Sequence, residues 1–400
     1  MNNKVVLAFS GGLDTTFCSI YLSKELGLEV HTVVVNTGGF SEGELKEIEQ
    51  KAYALGVSSH TALDQTAAFY QDTIKYLIFG NVLKNNTYPL SVSAERVCQA
   101  TAIAEYVKKI GAKAVAHGST GAGNDQVRFD LIFNILIPEV KIITPIRDLK
   151  LSRQSEIDYL AQNGVIINAE KAVYSINKGI WGTSVGGKET LSSNTYLPEE
   201  AWPTPVSKTT PEKISISFLK GQAVALNEVK MSAVEVIQQL QELAQPFGIG
   251  RDIHVGDTII GIKGRVGFEA AAPIILIKAH HALEKHTLTK WQLSWKEQLA
   301  LFYGNNLHEG QFHDPIMRDL EAFLNSSQQS VTGTVFLELH AYRFVVLGIE
   351  SPFDMMNNQL ASYGEMNDGW SGDDVKGFSK ILGNQMKIWY SLNQKTMKDE

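Results

Sequence analysis

The sequence predicts a doubly wound α/β domain with a mostly parallel sheet, then an α+β domain and a C-terminal helix. Three observations carry this. Over the first 168 residues, short valine- and isoleucine-rich runs alternate with segments of helical period, as in βα units whose strands are buried on both faces. After about residue 168 the alternation fades, and 194–212 (NTYLPEEAWPTPVSKTTPE) carries four prolines and no period, an ordered excursion or linker. The chain then closes on an amphipathic stretch, 374–393. The expected domains are 1–168, 169–365 and 366–400.

Residues 4–9 (KVVLAF) read as a buried strand, and the period changes at Leu13, where Phe17 and Ile20 begin a helical stripe that ends near Gly27. Residues 29–36 are a second strand. Ser41 and Glu44 form a capping box, opening a helix with Leu45, Ile48, Ala52 and Leu55 on one face. Residues 57–63 are a third strand, with Asp64 expected to cap a helix running to about Phe79. Ser93 is expected to open the next helix, closed by Gly111. Strands at 113–117 and 141–144 flank a helix over 126–136. Downstream, 213–218 and 222–226 read as a hairpin, and Ser232 with Glu235 as a second capping box before Val236, Ile237, Leu240 and Leu243. Strands at 258–263, 331–338 and 343–349 and helices around 280–302 and 314–325 complete the second domain.

Composition excludes several classes. Four hundred residues exceed one ordinary core, and 44% hydrophobic with 20% charged residues describes a globular chain, not a disordered one. A net charge of −7 with pI about 5.9 gives no general attraction to nucleic acid or anionic membrane. The two cysteines, Cys18 and Cys98, fall on expected helices and lack metal-ligand spacing. MNNK leads into the first strand without a charged and apolar leader, and no run approaches a membrane span. The expectation is a reduced, cytoplasmic protein without nucleic-acid or membrane partners.

The chemistry is concentrated in two glycine-rich loops, each leaving the C-terminal end of an expected strand, where open sheets bind ligands. The first is Ser10-Gly11-Gly12-Leu13-Asp14-Thr15-Thr16. Two glycines permit a sharp turn and close backbone approach. The N–H groups of the helix start and three hydroxyls (Ser10, Thr15, Thr16) are then expected to face one anion. A Walker loop has a lysine after its glycines; this loop has Asp14, which repels a phosphate unless a cation such as Mg²⁺ lies between. SGGLDTT accordingly looks like the pyrophosphate loop of enzymes that split ATP between the α and β phosphates. The second loop, 117–129 (HGSTGAGNDQVRF), follows its glycines with an amide, a carboxylate and a guanidinium, a set suited to a zwitterion: Asn124 and Asp125 for an ammonium, Arg128 for a carboxylate. The plainer alternative is Asp125 as a helix cap and Arg128 in solvent.

Together, AFSGGLDTT and HGSTGAGNDQVRF resemble the argininosuccinate synthases, and the likeness continues through NTYPLSVSAER (86–96), YSINKGIWGTS (174–184) and IGIKGRVGFE (260–269). That family joins citrulline to aspartate with ATP and Mg²⁺, releasing AMP and pyrophosphate. The resemblance implies ATP at Ala8, Phe9, Ser10, Gly11, Gly12, Leu13, Asp14, Thr15, Thr16, Val35 and Gly118, with Ser10, Asp14 and Thr15 catalytic and Asp14 on Mg²⁺. It implies citrulline at Tyr88, Ser93, Asn124, Arg128, Ser175 and Ser184, and aspartate at Thr120, Asn124 and Asp125. It also implies a homotetramer tied together by the C-terminal helix. Three positions depart from the pattern: Ala122 stands where many members have lysine, and Gly256 and Phe268 stand where many have a glutamate and a tyrosine that contact citrulline.

Other features carry less. GTSVGGK (182–188) has Walker spacing but is followed by Glu189 and is expected to be a chance cluster or a loop closing over citrulline. KAHHALEKH (278–286) has no histidine pair at metal-binding helical spacing and reads as helix surface. A glutamine-dependent amidotransferase would need a cysteine such as one at position 2, which is Asn2. A thiolating enzyme would need paired cysteines and a basic face. The remaining rivals are another amide- or amidine-forming ligase with the same loop, and a silent nucleotide sensor.

Overall fold

A computed structural model describes residues 3–121, 123–166, 174–356 and 369–394. The chain divides into two compact units, 1–351 and 352–400. In the first, β1 (Lys4–Ala8), β2 (Glu29–Asn36), β3 (Ser59–Asp64), β4 (Ala114–Ala116) and β5 (Lys141–Ile143) form a parallel sheet in the order β3-β2-β1-β4-β5. The central strand is apolar throughout because both faces are covered: Val5, Val6 and Leu7 are fully buried. Strand order reverses between β1 and β4, so the crevice of this sheet opens where the two glycine loops emerge.

The helices follow local signals. α1 (Leu13–Lys24) starts at Gly12, and α2 (Glu42–Ala54) is opened by the Ser41–Glu44 box, with the Ser41 N–H donating to Glu44 at 2.7 Å. After β3, the Asp64 carboxylate accepts from the Thr66 N–H at 2.9 Å, and α3 (Thr66–Phe69) runs through a π segment (Tyr70–Ile74) into α4 (Lys75–Phe79). α5 (Ser91–Ile110) begins two residues before Ser93, behind Leu90 at φ +64°. Ser93 is therefore no cap; it lies buried in the first turn. α6 (Asp125–Leu136), α7 (Pro145–Asp148) and α8 (Arg153–Gln162) complete this part.

The rest of the first unit holds two antiparallel sheets. β6 (Ser175–Gly179), β7 (Gly182–Gly186), β11 (Arg251–Asp257) and β12 (Lys263–Glu269) form one, in the order β11-β12-β7-β6. β8 (Glu212–Leu219), β9 (Gln222–Leu226), β10 (Val229–Lys230), β13 (Gly333–His340) and β14 (Arg343–Glu350) form the other. The expected strand over 258–263 is instead the turn between β11 and β12: the Thr258 N–H donates to Ile262 O at 2.8 Å, and Gly261 takes φ +81°. GTSVGGK is mostly β7, a buried strand and not a loop.

α9 (Ala233–Ala244) carries its expected capping box. α10 (Ala271–Thr287), α11 (Lys290–His308) and α12 (Pro315–Ser327) replace the two helices expected there, because Thr289 caps a new helix inside the run expected to be continuous over 280–302. The histidine segment is not all helix surface. His280 is fully buried between Asn81 Oδ1 (2.7 Å) and Gln328 Oε1 (2.8 Å), beside a buried Glu284–Lys296 ion pair at 2.8 Å. In the second unit the single expected helix is two, α13 (Gly372–Leu382) and α14 (Asn384–Asn393), broken at Gly383. Among the described residues no helix is long and apolar enough to cross a membrane.

Candidate active site

The first loop begins where β1 ends at Ala8. Phe9 is buried and its N–H donates to Val33 O at 2.9 Å, keeping the chain in the sheet until Ser10. Gly11 takes φ +74°, a conformation that favours glycine, and the chain enters α1 at Leu13. Ser10 Oγ and Thr15 Oγ1 lie 3.5 Å apart on the exposed side. Thr16 does not join them. It is fully buried, and its hydroxyl donates to Gly12 O at 2.7 Å, so two hydroxyls face the mouth and the third braces the turn. Val35 is buried in β2 beside Asn36, whose amide oxygen accepts from the Gly38 and Phe40 N–H groups at 3.0 and 3.2 Å.

Asp14 has a neighbour that the motif did not reveal. Glu156 of α8 is buried against it, and no N–H or hydroxyl among the described residues donates to its Oε2. Burial, then the Asp14 charge, push Glu156 up to about 8, and burial likewise raises Asp14, with Arg153 pulling the other way. A buried carboxyl pair that no donor neutralises suits a hard divalent cation. Among the described residues no three histidine, cysteine or acidic side chains gather at one point, so further ligands would come from phosphate and water. Burial pushes both thiols up, Cys98 to about 12, which disfavours the thiolate at neutral pH.

The second loop lies directly against the first at Gly118, which sits half-buried beside Asp14. His117 Nδ1 accepts from the Ser119 N–H at 3.3 Å, so Nε2 donates to Asp130 (2.9 Å), which Arg147 also holds at 2.6 Å. Thr120 is exposed, and Ala122 lies outside the described residues. Asn124 Oδ1 accepts from the Ile259 N–H at 2.8 Å, tying the loop to the β11–β12 turn.

Asp125 and Arg128 are not the open pair expected from the sequence. Burial alone would raise the Asp125 carboxyl, but Arg96 (2.9 Å) and Arg128 (3.0 Å) hold it below the usual range. Arg128 is buried; it donates to His308 O at 2.9 Å and to Ser93 Oγ at 3.1 Å as well as to Asp125. Its fork therefore joins Asp125 to Ser93 and is not free to swing across to a ligand. Arg96 continues the network to Asn177 Oδ1 at 2.5 Å. Across β6 and β7, Asn177 pairs with Ser184, which pairs with Phe268 on β12. Ser184 is buried, whereas Ser175, at the β6 start opposite Gly186, is exposed.

Tyr88 is buried, with its hydroxyl bonded to the Val92 N–H (3.0 Å) and its ring 5.4 Å from Phe268. His254 stacks on Tyr88 at 5.1 Å and fills the space over Gly256, whose Cβ would come within 2.5 Å of its Nε2. Asp257, the nearest carboxylate in sequence, is instead exposed in an ion pair with Lys263 at 2.6 Å. His308 Nδ1 faces the Ser93 hydroxyl at 2.9 Å and Arg128 at 3.3 Å. Among the described residues, His254 Nδ1 is buried without a hydrogen-bond partner, and His308 Nε2 is buried with the Asp257 backbone as its nearest polar neighbour. Both histidines, with Glu156, lie against residues of the candidate site, and no motif spacing announced them.

Comparison with known proteins decides the family. Residues 4–166 match the arginosuccinate synthase N-terminal HUP domain and 174–389 the arginosuccinate synthase C-terminal domain. The chain belongs to the argininosuccinate synthase family. The argininosuccinate synthase of Methanocaldococcus jannaschii is 40% identical over 368 residues, covering 91% of this chain and 93% of that protein. Those of Xylella fastidiosa (37% identical, 98% of each chain) and Sulfolobus acidocaldarius (36%, 95% and 97%) are similar end to end. Argininosuccinate synthases are ATP-dependent ligases that form C–N bonds. That agrees with a parallel-sheet domain bearing both glycine-rich loops and an antiparallel part that brings Asn177, Ser184 and Phe268 to the second one.

Proposed function

We propose that the chain condenses citrulline with aspartate at the expense of ATP, releasing AMP and pyrophosphate. The observation that carries this is the contact of the two glycine-rich loops at Gly118 and Asp14, since the second loop runs on from Gly118 to Asn124 and Asp125. The ureido oxygen of citrulline attacks the α-phosphorus, and pyrophosphate leaves toward Ser10, Thr15 and the amides at the α1 start. The aspartate amine then attacks the activated carbon, losing its proton as AMP departs. No covalent enzyme intermediate is needed; positioning and electrostatics do the work.

Asp14 with Glu156 would hold Mg²⁺, which supplies charge neutralisation for the leaving pyrophosphate. The Ser93–Arg128–Asp125 network, Tyr88 and Ser184 support a citrulline subsite, with Ser175 at its rim. Thr120, Asn124 and Asp125 support one for aspartate. Nucleotide (1–168), synthetase (169–365) and C-terminal (366–400) segments, a homotetramer and a cytoplasmic location complete the reading.

The test is AMP formation with citrulline and aspartate together and with each omitted. AMP that is independent of citrulline sinks the assignment. A silent sensor gives no citrulline-dependent exchange of labelled pyrophosphate into ATP.

A further inference from the structure

The phosphate loop contains no cation of its own, yet one reaches it from 40 residues away. Lys51, in the last turn of α2, donates its ammonium to the carbonyl of Gly11. Its stem runs along the loop: Lys51 Cδ lies 3.7 Å, and Ile48 Cγ1 3.6 Å, from where a Cβ on Gly11 would stand. The consequence follows from peptide geometry. A trans peptide is planar, so its C=O and N–H point to opposite sides. Holding the Gly11 carbonyl from the α2 side turns the Gly12 N–H the other way, where Ser10 Oγ lies at 3.4 Å and the Ser10 and Thr15 hydroxyls meet. Released from Lys51, this peptide between two glycines keeps only the long Gly12 N–H to Ser10 Oγ bond, 3.4 Å, against rotation, since neither flank has a Cβ.

We propose that Lys51 is a positioning residue for the phosphate cradle: it locks the Gly11–Gly12 peptide with its amide toward the pyrophosphate, and sets a positive charge behind the loop. This rests on the reading that the loop receives pyrophosphate. A lysine in the last helical turn also complements the helix dipole, and that smaller role predicts no effect on ligand binding.

The experiment uses the full chain as parent, Lys51→Met, Lys51→Gln and Lys51→Arg. Inorganic pyrophosphate is titrated calorimetrically with Mg²⁺ present, and KM is measured for each substrate. Losing a charge-assisted hydrogen bond at a ligand cradle is expected to weaken pyrophosphate binding and raise KM for ATP about tenfold or more in the Met and Gln variants. Lys51→Arg, which keeps charge and donors, is expected within about threefold of the parent, and KM for citrulline within about twofold in all of them. Parent-like pyrophosphate binding in Lys51→Gln overturns the inference. So do equal losses for all three substrates with a lowered thermal midpoint, which mark a packing role only. Should Lys51→Met fail to fold, the Gln and Arg variants decide alone. Pyrophosphate titration needs no turnover: a parent that binds pyrophosphate but makes no AMP with citrulline and aspartate refutes the proposed function and still tests Lys51.

Discussion

A Cβ on Gly118 would stand 3.1 Å from Asp14 Cβ and 3.4 Å from the Thr15 nitrogen, closer than the loops can accept without moving. The two halves of the crevice touch here because this residue has no side chain. Gly118→Ala forces the loops apart by a few tenths of an ångström, small for the fold and large for in-line attack. KM for ATP is expected to rise about three- to tenfold, with about 1 kcal/mol or less of stability lost. Parent-like kinetics in a folded variant would show that the loops have slack.

Asp14→Asn keeps the shape and removes the charge facing Glu156. If Asp14 holds a cation against the leaving pyrophosphate, kcat falls about a hundredfold or more while KM for citrulline changes little. Equal turnover at saturating Mg²⁺ removes Asp14 from the reaction.

Two buried imidazoles give the fold an acid limit. Burial pushes His280 down to about 4 and His308 to about 3, Arg128 and Lys84 adding to the second. An unfolded histidine titrates near 6.5. As pH falls from about 6.5 toward 4, the unfolded chain takes up protons that the folded one refuses, so stability falls. Urea denaturation at pH 7.5, 6.0 and 5.0 is expected to show a shallower loss in His280→Gln than in the parent. An unchanged slope would mean that His280 titrates normally.

The features legible in the sequence were those written locally. Gly11 and Gly12 between strand and helix, and Ser41 with Glu44, state their geometry within a few residues, and the structure agrees. Ile259, Ile260 and Ile262 misled, because an apolar run reads as a strand; here Gly261 turns the chain, and Ile260 and Ile262 are exposed at the tip. Thr16 could not be told from Thr15, since one helical step decides which hydroxyl faces in. Lys51, Glu156, His254 and His308 were silent because their meaning lies wholly in tertiary contact.

The C-terminal unit exposes Phe378, Ile381, Met386 and Trp389, a larger apolar surface than a lone helix pair keeps in water. Deleting 371–400 is expected to turn a tetramer into smaller species by light scattering. An unchanged mass would place these helices on their own chain.

Arg128 decides which amino acid its network serves. Asp125 keeps a second guanidinium, Arg96 at 2.9 Å, if Arg128 is lost, whereas among the described residues no other guanidinium is bonded to Ser93. A lysine at 128 offers one compact charge in place of a fork that reaches Asp125, Ser93 and the His308 carbonyl together. Ser93 then relies on His308 Nδ1 at 2.9 Å, on the side assigned to citrulline. Losing such a charge-assisted pair costs about 1.5–3 kcal/mol. KM for citrulline in Arg128→Lys is therefore expected to rise roughly tenfold or more, while KM for aspartate moves much less because Arg96 still orients Asp125. Steady-state kinetics with each substrate varied in turn separates the two. A defect confined to aspartate would mean that Arg128 acts through Asp125 and that its Ser93 side does not support citrulline, with His254 over Gly256 the next side chain to remove.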